Sequence, residues 1–261
     1  MTSTTFAAPT ASLQMYDFGD LVIANDALWR LIRDGLRHQG HAAPDSLTRG
    51  PDLMAIWRAP DMLLSQTCGY PFRAQLNPIV ALVGTPDYGV PDCPPGQYCS
   101  YFVARKDDPR SELAAFDGVA LAYNDPMSQS GWAAPQTYAA ELGLHLPAGL
   151  VTQGHRLTVR AVADGRADIG AVDAVTWRHL MRLDENAQKL KVIARTPPSP
   201  GLPLITAQHG LTKVLFDTVA QAIADLPAPI RTILGLRGLI AIPASAYLAV
   251  PNPPPPDQIS V

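Results

Sequence analysis

The stretch NDPMSQSGWAAP, Asn124 to Pro135, places two hydroxyls, a carboxamide and a glycine where an apolar segment, GVALAY, hands over to a helical one. Serine is a favoured N-cap, so Ser128 and Ser130 could simply close a helix start. The same arrangement can cradle an anion, because amides without helical partners and the helix dipole converge there. Local sequence leaves both uses open. Further polar residues fall at the carboxyl ends of expected strands, where α/β folds bind ligands. They are Tyr16 with Asp17, then Thr67, Cys68, Gly69 and Tyr70, and finally Asp173 with Thr176. His155 joins them at a helix start after TQG. With Ser128, Gln129, Ser130 and Gly131, this set suits a tetrahedral oxyanion bearing a second, cationic group that Asp173 could pair with. Each member also has a plainer use: His155 as a cap or surface residue, Asp173 as the N-cap of AVTWRHL, Tyr70 as a turn aromatic.

Patterns that announce catalysis are missing. Ser130, His155 and Asp173 have the membership of a hydrolase triad, but SQSGW lacks the first glycine of a Gly-x-Ser-x-Gly elbow, so nothing strains the serine into a nucleophile. There is no Walker loop, no Gly-x-Gly-x-x-Gly and no metalloprotease helix. The six histidines show no paired ligand spacing. The residues therefore predict no catalytic group, no metal and no cofactor.

Composition sets the frame. The 261 residues are 47% hydrophobic and 16% charged, with a net charge of −3, which describes a globular protein with a sizeable core. No concentrated basic face suggests nucleic acid. An anion would have to be held by local dipoles and hydrogen bonds. Cys68, Cys93 and Cys99 fit neither a zinc pattern nor a disulfide framework. Cys93 and Cys99 could pair if PPGQY loops back, although reduced thiols are the expectation. The N-terminus lacks a basic segment followed by an unbroken apolar one, and no apolar run reaches the roughly 20 residues of a membrane span. As written, the chain is expected in the cytoplasm without membrane insertion, or in the periplasm if a leader has been removed.

The elements that must position these residues alternate. After an irregular start, ASLQMYDF reads as a strand ending near Tyr16, and NDALWRLIRDGLRHQG as a helix stopped by Gly40. DLMAIWRAP is a short helix, DMLLSQ a buried strand, TCGYPF a loop, and PIVALVGTP and YCSYFVAR are strands. FDGVALAY (strand), GWAAPQTYAAELG (helix), HRLTVRAVADG (helix), ADIGAVD (strand) and AVTWRHLMRL (helix) follow. KVIAR and LPLITA are strands, LTKVLFDTVAQAIADL is an amphipathic helix, and the tail NPPPPDQISV is expected to be loose. This is an α/β protein. It reads either as one doubly wound sheet or as two lobes, with residues 1–103 and 192–261 forming the first and 104–191 inserted as the second.

Four segments together, SQTCGYPF, NDPMSQSGWAAP, GHRLTVRAVADGRADIGAVDAVTW and ARTPPSPGLPLIT, resemble the phosphate, phosphite and phosphonate substrate-binding proteins of ABC transporters. These are the PhnD-like branch of the type 2 periplasmic-binding fold. The likeness runs from about Tyr16 to Thr206 in the family's order. It implies a bilobed fold, two α/β lobes joined by a two-strand hinge, clamping a small oxyanion, most simply a phosphonate or phosphate. By resemblance, Ser128, Gln129, Ser130 and Gly131 would hold the phosphonate oxygens, Tyr16 and Tyr70 would be cleft aromatics, and His155 and Asp173 would join them, Asp173 meeting the cationic end of an amine-bearing ligand. Gly154 stands where a serine often precedes the histidine. The implied partners are a small anion and, for an exported chain, a transporter permease. The alternative is a cytoplasmic biosynthetic enzyme of the thiamine-pyrimidine or menaquinone type, or a sensor, on the same scaffold.

Overall fold

The computed structural model describes residues 9–50 and 52–259, so the expected irregular start lies almost wholly outside the described residues. The chain divides into two compact units. The first comprises the described residues up to Cys68, then Phe72–Gly89 and Pro200–Tyr247; the second comprises Gly69–Pro71, Val90–Ser199 and the residues from Leu248 onward. The boundaries expected from sequence, at 103/104 and 191/192, fall inside paired strands of the second unit, Ser100–Arg105 and Leu190–Arg195.

In the first unit the sheet order is Thr10–Ser12, Met62–Gln66, Leu204–Thr206, Ala81–Asp87, Gly238–Ile240. The first pair is parallel and the remaining pairs are antiparallel. All five residues of Met62–Gln66 are buried, as a strand covered on both faces requires. Helix Leu21–His38 buries Leu21, Leu28, Ile32 and Leu36 at helical spacing and packs with helix Thr212–Asp225 in one cluster. Trp57, Met62, Phe72, Ile205 and Tyr247 form a separate one.

The second unit positions most of the candidate residues. Its sheet order is Ala148–Val151, Leu121–Tyr123, Ile169–Asp173, Ser100–Arg105, Leu190–Arg195. The first three strands are parallel, and Ser100–Arg105 runs antiparallel to both its neighbours. Parallel neighbours send their carboxyl ends to one edge, and each of these three feeds a helical start: Gln129–Ala133, His155–Ala163 and Ala174–Leu183. Close packing fixes the second of them. A Cβ on Gly170 would come within 2.7 Å of the Thr158 methyl, so only glycine lets helix His155–Ala163 settle on that strand.

Several expectations needed correction. The strand expected to end near Tyr16 stops at Ser12 and gives way to a 3₁₀ turn, Gln14–Tyr16. The expected TCGYPF loop is helical, a turn at Gly69–Pro71 followed by a widened turn at Phe72–Leu76. Strands Ala148–Val151 and Gly238–Ile240 and helices Ala228–Leu234 and Ala244–Leu248 escaped the sequence reading. The described part of the tail, up to Ile259, is not loose and includes a 3₁₀ turn at Pro256–Gln258. The Trp132 indole donates to the Pro254 carbonyl at 3.1 Å, the Ala148 amide donates to the Ile259 carbonyl at 2.8 Å, and Ile259 packs on the Tyr70–Tyr123–Trp132 cluster. Prolines without donors can still present carbonyls, and one apolar anchor then holds the segment.

Candidate functional site

Ser128 is an N-cap. Its backbone is extended and its Oγ accepts from the Gly131 amide at 2.9 Å. The turn beyond it is wider than an α-helix. The Ala133 amide donates to the Ser128 carbonyl at 2.9 Å, and the Ala134 amide to the Gln129 carbonyl, each spanning five residues. Such π-type turns recur at functional sites because they turn side chains away from the regular helical stripe. Ser128, Gln129 and Ser130 are all buried. Gly131 leaves room for the Asn124 carboxamide, whose oxygen a Cβ at this position would displace.

The second helix start brings His155 to this turn. Its Nε2 lies 2.9 Å from the Ser130 hydroxyl. The connection leading to it is tied down: the Thr152 amide donates to the Tyr123 carbonyl at 2.9 Å and the Gln153 amide to the Asn124 carbonyl at 2.8 Å. The Thr152 hydroxyl meets that of Thr158 at 2.7 Å. Gln153 adopts a left-handed φ of 65°, an uncommon state for a residue with a side chain. Burial pushes the imidazole pKa below its ordinary value, opposed by the charge of Asp173 and by the Ala171 carbonyl. The ring is therefore neutral at pH 7, and its bond to Ser130 joins two neutral groups.

Asp173 ends its strand and caps the third helix, its Oδ1 accepting from the Val175 amide at 2.6 Å and the Thr176 amide at 3.0 Å. It is 2% exposed. The capping use allowed by the sequence is thus present, together with a field that reaches His155. Tyr70 packs with Tyr123, Trp132 and Ala133, and the Tyr123 and Trp132 rings sit 4.7 Å apart. Gly69 opens the short turn that carries Tyr70.

Tyr16, Thr67 and Cys68 belong to the first unit, and all three are buried. Tyr16 meets Tyr88 edge-on at 5.1 Å, the Tyr88 hydroxyl accepts from Gln66 at 3.1 Å, and the Thr67 amide donates to the Pro203 carbonyl at 3.0 Å. Within that unit these contacts link Tyr16 to the strand that Thr67 follows.

In the second unit, then, the structure brings Ser130 and His155 into a bond and sets Asp173 near the imidazole. Sequence reasoning missed Asn124, Thr152 and Tyr88. The signal for Asn124 was present, an asparagine at a strand end seven residues before a glycine that leaves room for its carboxamide, whereas Thr152 belonged to an unforeseen strand-to-helix connection. Among the described residues, no group of three or more His, Cys, Asp or Glu side chains is placed to hold a metal ion.

A family model described as ABC transporter, phosphonate, periplasmic substrate-binding protein matches residues 60–247. No curated protein sequence matches the chain significantly. Solved structures share its fold. PhnD1 from Prochlorococcus marinus, in complex with methylphosphonate, is similar over 92% of this chain and 94% of that one, with a TM-score of 0.68 at 16% identity. XAC2383 from Xanthomonas citri, bound to chloride, covers 92% and 94% with a TM-score of 0.66 at 16% identity. A binding protein component of an ABC phosphonate transporter from Pseudomonas aeruginosa covers 90% and 82% with a TM-score of 0.63 at 18% identity. At such identities the likeness concerns the fold, the type 2 periplasmic-binding architecture.

Proposed function

Because this chain belongs to the periplasmic substrate-binding proteins of phosphonate ABC transporters, we propose that it is the receptor for a small phosphonate-like oxyanion, gripped at the turn that Ser128 caps, where Ser130 meets His155. Solute binding and a transporter permease as partner follow from the family. The anionic class of the ligand and the residues that hold it are the further step. The family is one of binding proteins, which favours this reading over a biosynthetic enzyme. Among the described residues, no helix is long and apolar enough to cross a membrane.

The observation that carries the reading is the Ser130–His155 pair at 2.9 Å, set at two helix starts fed by parallel strands. First-turn amides lack intrahelical acceptors, and helix N-termini favour negative charge. A hydroxyl can donate to an anion only if its proton is not given to the imidazole. An arriving oxyanion therefore favours the state in which Nε2 carries a proton and Ser130 turns its own toward the ligand. A dianion beside His155 also raises the histidine's proton affinity, so binding takes up protons. Gln129, Gly131, Tyr70 and Asp173 complete the grip from the second unit. Gly69, which opens the turn carrying Tyr70, is assigned to ligand contact with them.

Calorimetry and thermal shift with methylphosphonate, an aminoalkylphosphonate, phosphate and a sulfonate test the assignment. Saturable heat with the phosphonates supports it. Absence of heat and of any shift with all four overturns the ligand class.

A further inference from the structure

We propose that Cys93 and Cys99 are a modification site, a dithiol pair that closes to a reversible intrachain disulfide. The sequence DCPPGQYCS separates them by five residues, and backbone bonds fold that segment back on itself. The Cys93 amide donates to the Val90 carbonyl at 3.2 Å, and the Gln97 amide to the Pro94 carbonyl at 2.9 Å. Across these turns the Cys93 and Cys99 side chains come within interaction range of each other. Two thiols brought together by two successive turns can reach bonding distance with only local adjustment.

The two sulfurs differ in access. Cys93 is half-exposed and Cys99 is buried. Burial pushes both thiols up, Cys99 to about 12, while the Arg195 guanidinium works the other way on each. Arg195 is anchored beside them by Asp92 at 2.8 Å. Cys93 is accordingly the attacking group, and Cys99 resolves. With a small-molecule disulfide such as oxidised glutathione as the oxidant, the Cys93 thiolate attacks one of its sulfurs. The glutathione S–S bond breaks and one reduced glutathione leaves with the proton. Cys99 then attacks the Cys93 sulfur of the mixed disulfide, forming the Cys93–Cys99 bond and releasing the second reduced glutathione. Both electrons lost by the pair reside on the two glutathione thiols. The family's compartment is one in which disulfides form and persist.

The pair adjoins the candidate site without belonging to it. The Cys99 carbonyl accepts from the Ala174 amide at 3.1 Å, and Ser100 pairs with Asp173. A bond at Cys99 therefore fastens the segment Val90–Cys99 to the strand beside the third helix start. The inference stands or falls independently of the ligand class.

The experiment incubates the full chain with oxidised glutathione, alkylates it under denaturing conditions, and reads intact mass and linked peptides. Expected are one alkylated cysteine, Cys68, a Cys93–Cys99 linked peptide, a loss of about 2 Da reversed by dithiothreitol, and a Tm several degrees higher than the reduced form. Cys99→Ser should stop at a glutathione adduct on Cys93. Three alkylatable thiols in the treated wild type, a persistent wild-type adduct, a bridge to Cys68 or a dimer linked between chains would each overturn the proposal.

Discussion

Replacing Ser130 with alanine separates an anion grip from a structural cap, because the neighbouring hydroxyl, Ser128, serves as the control. Ser128 Oγ is committed to the Gly131 amide, whereas Ser130 Oγ has the imidazole as its partner. Ser130→Ala removes a hydrogen bond that would become charge-assisted once an oxyanion is bound, worth about 1.5–3 kcal/mol. At about 1.4 kcal/mol per decade, this is a rise in Kd of roughly 10- to 150-fold. The folded state loses less. His155 Nε2 forfeits one neutral partner, about 1 kcal/mol.

Ser128→Ala should behave in the opposite sense. It strips a cap from a buried turn, about 1 kcal/mol of stability, and changes affinity through the disturbed turn alone. Titration calorimetry with methylphosphonate, run beside denaturant melts for wild type and both variants, reads the two quantities separately. A Ser130→Ala protein that binds methylphosphonate within twofold of wild type refutes the assignment of this hydroxyl to the ligand. So would two variants whose affinities merely track their stabilities.

Three further expectations come from the same neighbourhood. With its folded pKa held below about 6.5 mainly by burial, His155 is neutral in the native state, while the unfolded chain gains that proton more readily. Its contribution is complete above pH 6.5 and is lost as pH falls from about 6.5 through the lower folded value; His155→Gln should flatten that part of the stability profile, and an unchanged profile would contradict the placement. Asp173→Ala should cost about 1–2 kcal/mol by uncapping the Val175 and Thr176 amides. Asp173→Asn should keep most of the cap yet weaken an aminoalkylphosphonate more than methylphosphonate in calorimetry, and equal weakening of both ligands would remove Asp173 from contact with an amine. Truncation after Pro251 leaves the Trp132 indole and Ala148 amide without the tail's carbonyls and strips Ile259 from its cluster. A loss of about 2–4 kcal/mol follows, read by chemical denaturation, and an unmoved midpoint would mean the tail is not docked.

How far the sequence could be read depended on the range of the forces involved. Helix His155–Ala163 and strand Ile169–Asp173 were visible because their periodicity is local and their stops, Gly165 and Asp173, are local as well. Strand Ala148–Val151 was hidden for a physical reason. It lies at the sheet edge with Leu150 and Val151 exposed, so no buried face imposed an alternation, and Pro147 before it with Gly149 inside it imitates a turn. The tail misled in the opposite way. Its prolines confine it to one short 3₁₀ turn, Pro256–Gln258, yet carbonyls and one isoleucine suffice to dock it.

The meeting of Ser130 and His155 belongs to a different class of information. Twenty-five residues separate them, and no local pattern says that one helix start faces another. That follows from strand order, in which Leu121–Tyr123 lies between Ala148–Val151 and Ile169–Asp173 with all three parallel, so that three carboxyl ends are adjacent. Sheet order is set by long-range burial and by close approaches such as Gly170 under Thr158, which single-residue patterns do not report. The serines could be read as cap or cradle from sequence because both uses need the same residue type at the same place. Geometry divides the labour between them: Ser128 holds the turn, so the hydroxyl available to respond to a ligand is that of Ser130, and the histidine bonded to it decides where its proton points.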